Sequence, residues 1–427
     1  MFYNIFAGTS SFAEVRLAFR YLLSFRFKDR QIIDAFHAAA QEATGTKYAF
    51  SFGSGRISLF MALQALGIRD GDEVILPAYT CVVVANAIHY AGAKPVYVDI
   101  DPVTFNIDVS KIATAITPRT KAILAQHTFG LICDIDTIRA IAKKHGLRII
   151  EDSVHALGIE HKGEKVGALG DLAYFSTDNS KVISTFSGGF VTTNDPELAK
   201  KLDQLWHATP WLRSFDYFRI GVSFILAYFL YSPRSYRWTR YILRVLSKFR
   251  VLFYFRDELL LERPTHYRFP CRMSSLQAAI GLSQLRNLDS NLSHRKEIGL
   301  KAERLMGCLG ERLLEQGSNH SFLRYSFLVD DRASFLKAFS NQYDLGIWFT
   351  SVLHGRMQNL DKLGYQTKSC PIAEDVAKRI VNIPTHYRIP VDPVIAALSA
   401  YETHVGTESF ARRRRDFLSL SDGLDSD

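Results

Sequence analysis

The stretch Lys121–Asp152, KAILAQHTFGLICDIDTIRAIAKKHGLRIIED, decides the fold because it predicts a strand, a helix and a second strand in succession. Lys121–Ala125 and Arg148–Asp152 carry consecutive apolar residues, as parallel strands do when both faces of their sheet are covered. Between them, Ile135–His145 is predicted to be a helix. This alternation is typical of a parallel or mixed α/β sheet.

The same alternation continues toward the amino terminus. Further strands are predicted at Glu73–Pro77 and Pro95–Asp99, and further helices at Arg56–Leu66 and Val82–Ala91. The predicted fold class is therefore α/β, with a large domain built on a mostly parallel sheet. In such sheets, ligands bind beyond the carboxyl ends of the strands.

Beyond about Ser275 the pattern changes to that of a smaller C-terminal α+β domain. A long helical stretch precedes strands predicted near Phe322–Val329 and Gly346–Phe349, and the region ends in helices. Four segments are predicted: a large α/β domain with an N-terminal lead-in (1–206), an aromatic and basic insertion (207–265), a linking helix with the small domain (266–415) and a disordered tail (416–427).

The composition excludes several classes of protein. Of the 427 residues, 47% are hydrophobic and 22% are charged, which excludes a disordered or fibrous chain. Five scattered cysteines without a CxxC pair argue against a disulfide scaffold and a zinc site, so that no metal is predicted. They fit a reducing compartment, and no signal peptide is recognised, so a cytoplasmic location is predicted.

The net charge of +9 is a local property of the chain. Between Trp211 and Arg256 there are nine basic residues and one acidic residue, so this segment carries nearly all of the excess. A general affinity for nucleic acid does not follow from such a distribution. No nucleic-acid partner is predicted.

Three segments whose residues suit catalysis or ligand binding stand at the ends of predicted strands. In Phe52–Phe60, FGSGRISLF, two glycines flank a serine just before a helix, so that amide groups and the helix dipole suit an anion. Asp152 ends a strand, and His155 follows one helical turn later. Lys181 lies in a polar loop between two strand-like runs. Taken singly, each has an ordinary explanation: a strand–helix turn, a helix cap, a structural histidine and a solvated lysine.

Taken together, the three segments match the requirements of pyridoxal 5′-phosphate. Its phosphate needs a helix N-terminus. Its aldehyde needs a lysine amine with which to form a Schiff base. Its ring nitrogen needs a carboxylate that keeps it protonated, so that the ring accepts electrons from the substrate carbon. The combination predicts this cofactor.

The sequence resembles the DegT/StrS family of pyridoxal-phosphate sugar aminotransferases, which have the type I fold of such enzymes. The resemblance is most continuous from Phe52 to Asp195, through GSGRISLFMALQALGIRDGDEVILPAYTC, IEDSVHALG and SGGFVTTND. It resumes at Cys271–Asp289, CRMSSLQAAIGLSQLRNLD, and weakly at CPIAEDVAKRIVNIP. A string of such blocks in one order is far more specific than a single motif.

The resemblance implies a role for each matching residue. Lys181 would form the Schiff base and move the proton of transamination, and Asp152 would pair with the ring nitrogen. His155 stands where the family has Gln or His near the phenolic oxygen of the ring. Ser176 matches a serine that contacts the phosphate. The phosphate-binding turn is matched by Gly55, Arg56 and Ile57. The family also implies a homodimer in which each active site is completed by the neighbouring subunit.

Some positions depart from the family pattern. Cys81 stands where an aromatic residue commonly stacks on the coenzyme ring, and Pro270 stands where an Asn reaches the neighbour's phosphate. Two dipeptides around the lysine also differ, Asp178-Asn179 and Phe186-Ser187. The coenzyme chemistry is therefore expected to be intact, with unusual substrate recognition.

The insertion has no equivalent in the family pattern. Trp211–Arg256 contains 15 aromatic residues, and its longest uncharged run, Ile220–Pro233, has 14 residues, fewer than the roughly 20 of a membrane span. At helical spacing, a basic stripe is formed by Arg237, Arg240, Arg244 and Lys248. The flanking apolar face is formed by Trp238, Ile242, Val245, Leu246 and Phe249.

Contact with the inner face of an anionic membrane is the favoured interpretation of this insertion, because basic amphipathic helices with aromatic residues lie in membrane interfaces. The second interpretation is an apolar subunit interface or a lid over the active site. The third is nucleic-acid binding, because a basic aromatic patch can also stack bases.

The predicted function is that of an aminotransferase that converts a keto sugar, taken to be nucleotide-linked, into an amino sugar. L-glutamate is the donor that the resemblance implies, and the expected context is surface polysaccharide or glycolipid biosynthesis. Two alternatives stay open: a non-catalytic, membrane-associated regulatory or scaffold protein, and a pyridoxal-phosphate enzyme acting on a lipid-linked substrate.

Overall fold

The computed structural model describes residues 1–6, 8–248, 264, 267–307 and 320–405. The strands are β1 (Tyr3–Asn4), β2 (Tyr48–Phe52), β3 (Glu73–Pro77), β4 (Thr80–Cys81), β5 (Lys94–Val98), β6 (Thr120–Gln126), β7 (Arg148–Asp152), β8 (Glu160–His161), β9 (Glu164–Lys165), β10 (Leu172–Ser176), β11 (Gly189–Thr193), β12 (Arg324–Leu328), β13 (Tyr343–Asp344), β14 (Leu353–His354) and β15 (Ile380–Pro384). The α-helices are α1 (Phe12–Ser24), α2 (Arg30–Thr44), α3 (Gly55–Ala65), α4 (Val82–Tyr90), α5 (Ile112–Ala115), α6 (Ile135–His145), α7 (Pro196–Ala208), α8 (Ser214–Leu230), α9 (Tyr236–Lys248), α10 (Ser275–Leu285), α11 (Leu288–Met306), α12 (Arg332–Phe339), α13 (Pro371–Arg379) and α14 (Val391–Val405).

Seven strands form the central sheet, in the order β2-β11-β10-β7-β6-β3-β5. The last five of these run parallel, whereas β11 is antiparallel to both of its neighbours. Along β3, Val74 and Leu76 pack into one hydrophobic cluster and Ile75 into another on the opposite face. Helices cover both faces, which explains the uninterrupted apolar runs in the sequence. The predicted α/β class with a large, mostly parallel sheet is confirmed.

The predicted elements of this domain agree closely with the structure. β3, β7 and α6 have the predicted bounds. β5, β6 and α3 differ from theirs by one residue at each end, and α4 differs by one residue at its carboxyl end. The carboxyl ends of β2, β7 and β10 lie at one edge of the sheet, together with the start of β11. This edge therefore gathers the three segments that the sequence singled out.

The small domain is built on the antiparallel pair β12 and β15, against which α11 and α14 pack. The strand predicted near Phe322–Val329 is present as β12. The prediction of a strand at Gly346–Phe349 was wrong, because amide groups of this segment bond to side chains of other segments. The Trp348 N–H donates to Asn382 Oδ1 at 2.6 Å, and the Phe349 N–H donates to the Tyr79 hydroxyl at 2.8 Å.

The described part of the insertion consists mainly of α8 and α9. α8 packs along α1, and Phe224 of α8 is buried in the main core. Gly221 lies so close to α1 that a Cβ there would be 2.7 Å from a methyl group of Leu22. Among the described helices, none is both long enough and apolar enough to span a bilayer. Most of the insertion beyond α9, and the tail predicted at 416–427, lie outside the described residues.

Candidate active site

A cavity of about 370 Å³ lies at the carboxyl edge of the central sheet. Of the predicted site residues, six line it: Gly55, Arg56, Asp152, His155, Ser176 and Lys181. Ile57 is the exception: it is fully buried in the core, and its N–H donates to the Ser54 hydroxyl at 3.2 Å. Its amide completes the cap of α3, and its place in the phosphate-binding turn stays a prediction.

The first turn of α3 forms the floor of an anion site. Ser54 caps the helix, and Gly55 and Arg56, at its first two positions, line the cavity. A Cβ on Gly55 would lie 2.5 Å from the Cβ of Ser176, so the close approach of α3 to the end of β10 requires glycine. Amide groups at a helix start favour a phosphate, and the Ser176 hydroxyl lies beside them.

Asp152 is a buried carboxylate at the end of β7. Its Oδ1 accepts a hydrogen bond from the Val154 N–H at 3.4 Å, and the Tyr174 hydroxyl faces it. Burial raises the pKa of Asp152, although the Tyr174 hydroxyl and the Lys181 charge act in the opposite direction. A buried carboxylate of this kind is stabilised by a cationic partner within the cavity, such as a protonated ring nitrogen.

Lys181 lies in the loop between β10 and β11, and this loop is held from two sides. The Lys181 N–H donates to the Asp178 carbonyl at 3.1 Å, which closes a turn through the unusual Asp178-Asn179 pair. Gln284 of α10 accepts from the Ser184 N–H at 2.7 Å and donates to its carbonyl at 2.8 Å. The backbone that carries Lys181 is thus fixed to a neighbouring helix.

His155 contacts the amine of Lys181. His155 Nδ1 accepts from the Phe129 N–H at 3.3 Å, so the proton of the neutral imidazole is on Nε2. Nε2 lies 3.0 Å from Lys181 Nζ, within hydrogen-bond distance. Burial, followed by the charges of Lys181 and Arg324, holds the pKa of His155 well below its usual range. Burial also lowers the pKa of Lys181, which favours the nucleophilic form of its amine.

The small domain supplies three cavity residues that the sequence did not single out. Trp348, Phe349 and His354 line the cavity, and β14 pairs with β4 so that His354 lies beside Cys81. Burial lowers the pKa of His354 to about 3. Their segment, GIWFTSVLHG, has neither helical nor strand periodicity, and its concentration of aromatic residues was the one available signal. Aromatic rings thus approach Cys81 from a distant part of the chain.

The insertion also reaches the cavity. Ser223, Ala227 and Tyr231, on α8 or just after it, line one wall together with Phe6 near the amino terminus. This is the position that the lid interpretation expects for part of the insertion. Pro270 lies in a segment that folds back on the same chain, where the adjacent Cys271 carbonyl accepts from the Gly53 N–H at 2.9 Å.

The residues of this cavity fit pyridoxal 5′-phosphate on three structural grounds. A capped helix start, too crowded at Gly55 for any side chain, suits the phosphate. The buried Asp152 carboxylate suits a protonated ring nitrogen. Lys181 brings an amine into the same cavity, 3.0 Å from His155 Nε2.

Comparisons with known proteins follow the same division of the chain. The model of the DegT/DnrJ/EryC1/StrS aminotransferase family matches residues 21–213 and 260–399. The two matched blocks leave out residues 214–259, which contain α8 and α9.

Individual relatives and structures give the same picture. The chain is 33% identical to the GDP-perosamine synthase of Caulobacter vibrioides over 377 residues, 86% of this chain and 89% of that protein. It is 32% identical over 369 residues to the spore coat polysaccharide biosynthesis protein SpsC of Bacillus subtilis, covering 83% and 85% of the two chains. The solved aminotransferase TlmJ from Streptoalloteichus hindustanus has a similar fold, with a TM-score of 0.71 at 24% identity over 94% of this chain and 99% of that one.

Proposed function

The chain belongs to the DegT/DnrJ/EryC1/StrS family of aminotransferases, which use pyridoxal 5′-phosphate, and we propose that it transfers an amino group from L-glutamate to the ketone of a nucleotide-linked sugar. The observation that carries this proposal is the convergence of Lys181, Asp152, His155 and the start of α3 on one cavity. Nucleotide-linked sugars are proposed because a relative over most of the chain is named a GDP-perosamine synthase. The name of SpsC supports a role in polysaccharide biosynthesis.

Each cavity residue has a defined task in this proposal. Lys181 would hold the coenzyme covalently through Nζ, and the first turn of α3 with Ser176 would hold its phosphate. Asp152 keeps a proton on the ring nitrogen, since a buried carboxylate without a cation is unfavourable. His155 remains neutral and presents its Nε2–H to the Lys181 amine.

Lys181 is the residue that we expect to transfer the proton of the donor carbon. The bound coenzyme supplies an electron sink for the substrate carbon from which a proton is removed. Once displaced by the amine of the donor, the free Nζ of Lys181 would serve as the base for that carbon. In the first half-reaction Lys181 would take the proton from the donor carbon and pass it to the coenzyme, and in the second it would move a proton in the opposite direction, onto the sugar carbon that receives the amino group. Two half-reactions through one lysine predict ping-pong kinetics.

The visible absorption spectrum of the purified protein with added pyridoxal phosphate tests this proposal. The wild type should show the band of the lysine-linked coenzyme, and L-glutamate should bleach it with release of 2-oxoglutarate. Lys181→Ala should show neither change, whereas the matched control Lys200→Ala, at an exposed lysine of α7, should behave as the wild type. A wild type that forms no lysine-dependent band with excess coenzyme would contradict the aminotransferase assignment and favour the non-catalytic alternative.

We further propose that the enzyme is a homodimer and that it contacts the inner face of an anionic membrane. All but three of the strongly exposed large apolar side chains in the described residues lie on α8, α9 or α1 and the residue just after it. We call this the aromatic surface, and it consists of Phe12, Phe19, Leu23, Phe25, Phe215, Val222, Phe229, Trp238, Tyr241, Ile242 and Val245. Arginines border it: Arg16 lies 5.8 Å from the Phe12 ring and Arg219 lies 5.6 Å from the Phe215 ring.

This combination of exposed aromatic rings and cations matches the chemistry of a membrane interface, in which rings lie at the headgroup level and cations meet anionic lipid. Because α8 also walls the cavity, a lipid-linked substrate would enter beside the bilayer. Trp238 is 75% exposed, which leaves most of its indole ring available for such contact.

Co-sedimentation with phosphatidylglycerol vesicles tests the membrane contact. The wild type should bind them and should bind pure phosphatidylcholine vesicles much more weakly. The double variant Trp238→Ser/Ile242→Ser should bind about tenfold more weakly or worse, because roughly 25 cal/mol of transfer energy is lost for each Å² of apolar surface removed. Met357→Ser, at an exposed methionine outside the aromatic surface, is the matched control. If the wild type binds neither kind of vesicle and the double variant is a monomer where the wild type is a dimer, the surface is instead a subunit interface.

A further inference from the structure

Arg324 is a buried cation that forms no ion pair with an acidic side chain of the described residues. It begins β12, and only 2% of its surface is exposed. Its Nη1 and Nη2 atoms are fully buried and have no hydrogen-bond partner among the described residues. A buried charge that lacks a partner costs several kcal/mol in general, so such a side chain is retained where an anion comes to it.

The position of Arg324 connects it to the reacting lysine. Its Cζ lies 3.6 Å from the centre of the Trp348 ring, and Lys181 Nζ lies 4.9 Å from the centre of the same ring. The charge of Arg324 lowers the pKa of Lys181, of His155 and of His354. The guanidinium group therefore acts on the active site at short range.

The protein leaves little room for an internal counter-ion. A small cavity of about 10 Å³ borders Arg324, and it is also lined by Asn179 and Lys181, which line the main cavity too. Such a space holds at most one water molecule. Arg324 borders this small space rather than the main cavity, and Asn179 and Lys181 connect the two, so an anion for Arg324 would have to approach from the main cavity.

The nearby charged groups do not neutralise Arg324. Burial, followed by the charge of Arg295, lowers the pKa of Arg324 to about 9, and the Asp178 carboxylate acts in the opposite direction. No described carboxylate lies within ion-pair distance of Arg324, and Asp178 Oδ1 accepts from the Ser180 N–H and hydroxyl. The second buried guanidinium, Arg295, bonds to neutral acceptors such as Asn291 Oδ1 and the Leu323 carbonyl. This side of the active site therefore carries two buried positive charges.

We propose that Arg324 binds the α-carboxylate of the amino-acid donor. The inference rests on the proposed function, because it assigns a subsite within the same reaction. A carboxylate presents two oxygens that match the paired Nη–H donors of a guanidinium group. The α-carboxylate is attached to the very carbon that exchanges its amine near Lys181, so its anchor must lie close to that lysine. Stacking on Trp348 fixes the plane of the guanidinium and so its direction of binding.

An oxyanion in this cavity has two sources, the carboxylate of the donor and the phosphates of a nucleotide-linked sugar. We assign the donor carboxylate. Two measurements separate the sources: single-turnover bleaching of the holoenzyme by L-glutamate in the absence of sugar, and calorimetric titration with GDP. Arg324→Gln should raise the half-saturating L-glutamate concentration roughly hundredfold, as expected on removing one partner of a buried charge pair, and should leave the GDP affinity unchanged. Arg324→Lys should recover part of the loss, because an ammonium keeps the charge but not the paired donors.

Two controls separate this subsite from a structural effect and from failure of the proposed function. The wild type should strongly prefer L-glutamate to 4-aminobutyrate, which lacks the α-carboxylate, and Arg324→Gln should lose that preference while its lysine-linked coenzyme band stays unchanged. If no amino acid bleaches the wild type, the proposed function has failed. Titration of 2-oxoglutarate into the coenzyme-loaded wild type and Arg324→Gln then still measures the carboxylate site. The assignment would be overturned if the wild type and Arg324→Gln bound 2-oxoglutarate with equal affinity. It would also be overturned if Arg324→Gln lost GDP affinity hundredfold while its half-saturating L-glutamate concentration stayed unchanged.

Discussion

Gly55→Ala should damage both the stability of the protein and its coenzyme site, because the start of α3 touches the end of β10 at this residue. The added Cβ would lie 2.5 Å from the Cβ of Ser176, 2.8 Å from its Oγ and 3.1 Å from its Cα. The first two distances are below any normal contact, so α3 and β10 must move apart. Overpacking of this kind costs about 1–3 kcal/mol of unfolding free energy.

The same movement widens the phosphate seat. A hydrogen bond to a charged group contributes about 1.5–3 kcal/mol, so the loss of one should weaken coenzyme binding by roughly tenfold or more. Urea unfolding of the coenzyme-free protein measures the first effect, and titration followed by visible absorption measures the second. Gly55→Ala with wild-type stability and wild-type coenzyme affinity would refute the contact between α3 and β10.

A pair of second substitutions tells which atom of Ser176 causes the strain. Ser176→Gly removes both of the nearest atoms and should restore most of the stability lost in Gly55→Ala. Ser176→Ala keeps the Cβ at 2.5 Å and should restore little. Neither should restore coenzyme affinity, because both remove the hydroxyl beside the helix start. Equal rescue by the two substitutions would show that the Oγ, rather than the Cβ, sets the limit.

Three further predictions follow from buried groups. Burial lowers the pKa of His37 to about 4, and its Nε2 accepts the Ser51 N–H at 3.0 Å. Protonation of His37 is therefore unfavourable in the folded state, so the free energy of unfolding decreases as the pH falls below 6.5. His37→Gln should remove about 1.4 kcal/mol of that decrease per pH unit, as measured by urea unfolding at graded pH. Because burial lowers the pKa of Lys181, amine labelling with peptide mapping should give it a midpoint below the ordinary 10.4, and an unshifted midpoint would contradict its burial. Trp206→Ala should cost about 3–5 kcal/mol, because the ring is buried under the guanidinium group of Arg272 at 4.6 Å; a loss below 1 kcal/mol in the same assay would contradict this packing.

The sequence predicted much of the large domain because its signals are local. The bounds of β3, β7 and α6 follow from continuous apolar runs and helical spacing, which neighbouring residues impose on one another. Asp152 and Lys181 were recognisable because each follows a strand whose end is visible in the sequence. Parallel strands then carry those ends to one edge of the sheet without further information.

One prediction failed where a segment is shaped by distant partners. Gly346–Phe349 was expected to be a strand because its residues favour one. Its backbone instead bonds to Asn382 and to the Tyr79 hydroxyl, which only the docking of the small domain brings within reach.

The sequence by itself thus determined the α/β architecture, through short-range pattern, and the family, through the order of its matching blocks. It also predicted Lys181, Asp152 and the start of α3 as the coenzyme site. Only the tertiary structure decided which residues complete the cavity: Trp348 and His354 from the small domain, and Ser223 and Ala227 from α8. It also placed Arg324 against the Trp348 ring. These residues come from segments far apart in the chain from the coenzyme-binding strands. Their meeting depends on how the domains pack, which no local periodicity encodes.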